Sequence, residues 1–128
     1  MSGARVTNTV GRAVAMAAAL FGFATIAAGA RVLTGADPGY VVFRPLLLFN
    51  TAMGFAYVGA GALAWRDITR GTSASAAIFG LNICALGVIA YLYSTGSPVA
   101  LESVRAMAFR TSVWLAFLLA LAWLSRRA

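Results

Sequence analysis

The chain has 128 residues, of which 62% are hydrophobic and 10% charged, with a mean hydropathy of +0.88. A soluble domain of this size cannot cover so much apolar surface, so composition excludes that class and points to an integral membrane protein. The formal charge of +7 comes from ten arginines against three acidic residues; the arginines edge apolar runs and form no clustered basic face, which fits snorkelling and orientation and argues against nucleic acid.

Met1 to Thr9 is short and polar, and the first predicted helix covers residues 11 to 33. Its apolar run, Ala13 to Leu33, is long enough at 1.5 Å per residue to cross a hydrocarbon core of about 30 Å. Arg5, Arg12 and the Ala28-Gly29-Ala30 triplet resemble parts of a signal peptide, but the run is long for an h-region, so a retained helix is expected. Arg31 closes it. In the connection that follows, Gly35 is placed as a left-handed cap and Pro38-Gly39 as the centre of a type II turn.

Arg44-Pro45 opens the second helix, residues 45 to 65, with proline where its missing donor costs least. Ala52, Ala56 and Ala60 form a fourfold-spaced ladder beside Gly54, Gly59 and Gly61, so this helix is expected to pack closely against partners. Asp67 to Gly71 is read as a loop, with Thr72 or Ser73 capping a third helix over residues 74 to 93. That helix carries Asn82 and Cys84 near its middle, Cys84 as a small buried hydrophobe. Ser97 and Pro98 are read as N-cap and first residue of a fourth helix, residues 99 to 124.

The fourth helix carries the candidate site. Glu102, Arg105 and Arg110 stand at the mouth of its apolar run, and an arginine near the centre of a membrane helix costs roughly 2.5–3.5 kcal/mol on insertion scales. Asn50 lies five residues past Pro45 and Arg110 five past Arg105, so both fall about 7–8 Å below one boundary, in a shared polar layer. Arg31 and Arg44 stand above that layer, and the six residues Glu102, Arg105, Arg110, Arg44, Asn50 and Arg31 are the candidate ligand-binding set. Glu102 and Arg105 also fit a solvated helix pair. No catalytic residues and no metal site are expected, because the chain has no histidine and no nucleophile-base pair. An enzyme is therefore the less favoured class.

Asn50 to Gly59, NTAMGFAYVG, is similar to the Asn-and-Gly helix of small four-helix fluoride channels, though ASAAIFGLNICALG lacks the Thr/Ser-rich break of their third helix. Small multidrug exporters share the length and helix number but depend on a carboxylate inside helix one, which has none here. Gly11-Arg12, Gly22 and Ala28-Gly29-Ala30-Arg31, with Gly54 to Trp65, resemble the opening half of the DoxX-like group of small four-helix bacterial inner-membrane proteins. That resemblance implies the four-helix fold and, through some members, a link to quinone.

The expected fold is an all-α, single-domain bundle of four transmembrane helices with up-down topology. Counting arginines at the helix ends gives six on the side of the termini and four on the other, so both termini are placed in the cytoplasm. Arginine without lysine points to a GC-rich bacterial genome, and the DoxX-like resemblance implies a bacterial inner membrane. The leading functional reading is an accessory or interaction subunit of a membrane complex, with the bilayer and either a second copy or another membrane protein as partners. The alternative is binding or transport of a small solute, anion or lipid headgroup at the Arg/Glu site; a quinone-linked redox helper is the second alternative. No cofactor is required, quinone or lipid being the candidates the setting allows.

Overall fold

The structure is a computed structural model that describes residues 2–127, with side chains described for residues 9–126. The side chains of Arg5 and Arg127, two of the six arginines in the orientation count, lie outside the described residues. Four helices make up the chain: α1 (Ser2–Leu33), α2 (Arg44–Arg66), α3 (Ile68–Ser94) and α4 (Leu101–Arg127). All four are long and apolar enough to cross a membrane. Between 22% and 33% of each apolar span is buried within the bundle, so most of its surface points outward and is apolar. Leu20, Phe23, Phe55, Val88, Phe109 and Leu119 are all more than half exposed. Such a surface fits hydrocarbon surroundings, not water.

Consecutive helices pack antiparallel through short links. Gly22 faces Gly54 and Val58, and Gly61 faces Ala15 and Ala19, so α1 and α2 run past each other in opposite directions. Two of the connections begin with the same device. Gly35 has φ +115°, its N–H donates to the Val32 carbonyl and that of Ala36 to the Arg31 carbonyl; Gly96 has φ +82°, with equivalent bonds from Gly96 to Tyr93 and from Ser97 to Leu92. This Schellman pattern satisfies the last carbonyls of α1 and α3, and glycine takes the left-handed position at no steric cost.

Three helix boundaries differ from the sequence expectation. α1 begins at Ser2, because an apolar run marks where hydrocarbon begins, while helical hydrogen bonding continues past it. α3 begins at Ile68, so the expected loop and its Thr72 or Ser73 cap do not exist. Asp67 alone links α2 to α3: its backbone is extended, its N–H donates to the Leu63 carbonyl, and its Oδ1 accepts from the Thr69 N–H at 3.0 Å. Thr72 instead donates its hydroxyl back to the Ile68 carbonyl, inside the helix. α4 begins at Leu101, two residues late: the Ser97 carbonyl accepts from the Val99 N–H in a tight turn instead of opening a helix.

The small-residue face of α2 is divided between the interior and the outer surface of the bundle. Gly54, Ala60 and Gly61 are buried, but Ala52, Ala56 and Gly59 are exposed, and nothing lies within 4 Å of a Cβ built on Gly59. A ladder of residues four apart advances about 40° per step, so its first members lie outside and its later members inside. Cys84 is exposed on α3 rather than buried.

Three clusters fill the interior. Leu46, Ile89, Val99 and Met107 pack near the end holding the α1–α2 and α3–α4 connections, hereafter the two-loop end. Met53, Tyr57, Ala60, Ile78 and Trp114 fill the middle, and Ala15, Ala64 and Leu121 the terminal end. The α1–α2 pair is the most closely packed and the α1–α4 seam the least of the neighbouring pairs.

The close α1–α2 approach makes a direct prediction. A Cβ on Gly22 would fall 2.7 Å from the Gly54 carbonyl oxygen and the Val58 nitrogen, both backbone atoms that cannot step aside. Gly22→Ala should lower stability by about 1–3 kcal/mol through overpacking, while Gly59→Ala leaves it unchanged or slightly raised. Thermal unfolding of both variants in detergent checks this.

Candidate functional site

On α4 the residues that turn inward are Ser103, Met107, Thr111 and Trp114, at steps of four, four and three. At about 100° per residue, Arg110 lies roughly 55° from the middle of that stripe, Glu102 about 135° away and Arg105 on the opposite side. The structure follows this geometry. Arg110 is half-buried, whereas Glu102 and Arg105 are exposed. Arg31 and Arg44 are exposed as well, so of the six candidate residues only Arg110 and Asn50 come together.

Arg110 and Asn50 line one cavity of about 110 Å³ at the two-loop end. Thr25, Ala28 and Gly29 of α1 form one wall, Leu46, Leu47 and Asn50 of α2 a second, and Ser103, Ala106 and Arg110 of α4 a third. Pro38, Tyr40 and Val42, from the α1–α2 connection, stand over it. That connection is held by its own turn, with the Gly39 N–H donating to Asp37 Oδ1 at 2.9 Å.

The electrostatics of the cavity are one-sided. Arg110 Nε and Asn50 Oδ1 are buried and have no hydrogen-bond partner in the protein. Thr25, on the wall opposite, donates its hydroxyl to the Phe21 carbonyl of its own helix at 2.8 Å. Asp37, Asp67 and Glu102 are all exposed, and the ion pair among the described residues, Arg70 with Asp67 at 3.7 Å, is at the terminal end. The guanidinium therefore carries a positive charge in an apolar bundle with no carboxylate on the cavity wall. Groups of three or more His, Cys, Asp or Glu do not occur among the described residues, and the guanidinium of Arg110 offers only N–H donors.

Sequence reasoning missed the lining from Thr25, Tyr40 and Ser103, and it missed Trp114 and Ser75 in the group below Arg110. There the Tyr57 hydroxyl donates to Asn82 Oδ1 at 3.2 Å, and the Trp114 ring lies 4.8 Å from that of Tyr57. Asn82 Nδ2, Trp114 Nε1 and Ser75 Oγ, all fully buried, have no protein partner. The signal was available: Trp114 follows Arg110 by four residues, and Ser75 precedes Asn82 by seven, each pair on one helix face.

No family model matches the chain, and neither a curated protein nor a solved structure does.

Tyr57→Phe removes one hydrogen bond and leaves both ends of the Asn82 amide buried without a partner. It should cost about 1 kcal/mol, at the upper end of what side-chain hydrogen bonds give in membrane helices. Adding Asn82→Leu to Tyr57→Phe should recover that loss. Chemical denaturation of the single and double variants in detergent measures both.

Proposed function

We propose that the protein is a multi-pass protein of a bacterial inner membrane, both termini cytoplasmic, that binds a small anionic group in the Arg110 cavity. The observation that carries this is Arg110 itself: a half-buried guanidinium with an unpartnered Nε, lining a cavity beside an unpartnered Asn50 oxygen. A charge at such a depth is costly unless paired. The missing partner is an anion, and a guanidinium matches the planar or tetrahedral oxygens of carboxylate and phosphate. Asn50 adds an amide able both to donate and to accept, which suits a phosphate or headgroup that carries a hydroxyl.

The orientation rests on the arginine count of six to four, which puts the two-loop end and its cavity on the outer side. Exposed Trp65 and Trp123 near the terminal end, and exposed Tyr40, Tyr91 and Tyr93 near the other, fit two interfacial belts. Arg12 lies 5.0 Å from the Trp65 ring centroid, a cation–π contact at the inner belt.

A role as an accessory subunit is a second reading, favoured by the exposed Ala52, Ala56 and Gly59 on α2, where a further helix backbone has room to approach. Gly59→Leu should then dissociate a native complex without touching anion binding.

In an uncharged detergent, inorganic phosphate at roughly a hundred times its dissociation constant should stabilise the wild type by about 2.7 kcal/mol. Arg110→Gln, which keeps a polar amide but neither the reach nor the charge of the guanidinium, should unfold cooperatively and show no response. An equal response from both proteins would sink the anion-binding role.

A further inference from the structure

A second cavity of about 200 Å³ opens on the flank of the bundle, along the loosely packed α1–α4 seam. It shares Thr25, Ala28, Ala106 and Arg110 with the cavity at the two-loop end. The guanidinium thus stands where a compact cavity with polar groups meets a lateral groove. The rest of the groove is apolar: Ala24 of α1, and the rings of Phe21 and Phe109, whose centroids are 6.2 Å apart. Alanines at 24, 28 and 106 leave the slot open between the two phenylalanine rings and Arg110.

We infer that the ligand of the Arg110 cavity is an anionic amphiphile with a single hydrocarbon chain, its phosphate or carboxylate head on Arg110 and its chain lying in the α1–α4 seam. The inference rests on the anion-binding role proposed above and specifies its ligand. A free inorganic anion would need the charge and the Asn50 amide but has no use for an apolar groove running from the same guanidinium to the flank. A docked helix would need a broad face and would bury Arg110 without an anion. An amphiphile satisfies both halves at once, pairing the charge and covering the apolar walls. The lateral opening also gives it a route from the bilayer that keeps its chain out of water.

The test compares dodecyl phosphate, inorganic phosphate and uncharged dodecanol, each titrated into the purified protein in a neutral detergent and read by thermal shift. In the wild type, dodecyl phosphate should act at a concentration at least tenfold below that of inorganic phosphate, with dodecanol inactive. Ala24→Phe places a ring in the groove, and Ala24 does not line the outer cavity. This variant should still respond to inorganic phosphate, which also reports that it is folded, but should lose the tenfold advantage of the dodecyl chain. Ala24→Leu, a smaller intrusion, should lose part of it. Equal potency of the two phosphates in the wild type, or full dodecyl phosphate potency in Ala24→Phe, would overturn the inference and leave the anion site standing. Absence of any response to either phosphate in the wild type would instead overturn both.

Discussion

The backbone contact of α1 with α2 sets the rest of the arrangement. Where Gly22 meets Gly54 and Val58, and where Gly61 meets Ala15 and Ala19, no side chain separates the two helices. Van der Waals packing over such a surface is the main force available between helices whose surroundings are as apolar as their side chains. Large residues then fill the other side. Phe21, Tyr57 and Trp114 form a chain of ring contacts at 5.6 and 4.8 Å across the middle of the bundle. With that wedge in place α4 meets α3 closely but stands off from α1, and the resulting seam is where Arg110 lies.

Within that frame the polar groups form two tiers. The lower tier, Tyr57 with Asn82, is partly satisfied inside the protein, and its bond is worth little more than the average of about 0.6 kcal/mol measured between membrane helices. The upper tier, Arg110 with Asn50, has no carboxylate beside it among the described residues, since Asp37, Asp67 and Glu102 are all exposed and off the cavity wall. An insertion cost of roughly 2.5–3.5 kcal/mol for an arginine exceeds any gain the Tyr57 tier supplies. In the role proposed above, an external anion offsets it.

The four apolar helices were legible because length and hydropathy alone define them, and α2 was placed to within a residue because Arg44-Pro45 and Trp65-Arg66 mark its ends. Depth counting put Asn50 and Arg110 in one layer because rise per residue is nearly constant along a helix. Facing was harder to read. In a helix apolar all round, periodicity does not say which side turns inward, so the ladder starting at Ala52 looked like an interface, and Glu102 and Arg105 looked like neighbours of Arg110. The reliable marker on α4 was the stripe of Ser103, Met107, Thr111 and Trp114, polar or large residues at helical spacing. The caps were misread for a different reason: Asp67 serves both α2 and α3 while Ser97 serves the end of α3, and sequence offers no way to count a residue's hydrogen bonds before its neighbours are placed. Cys84 was placed inside by its residue type, whereas its position on α3 puts it on the outer surface.

The most direct test of the central claim, that an external anion completes Arg110, is native mass spectrometry of the protein gently extracted from its own membrane, beside Arg110→Gln prepared in the same way. The account predicts that the wild type retains an additional small mass, released as a negatively charged species, and that the variant retains none. The same adduct on both proteins, or none on either, would contradict it.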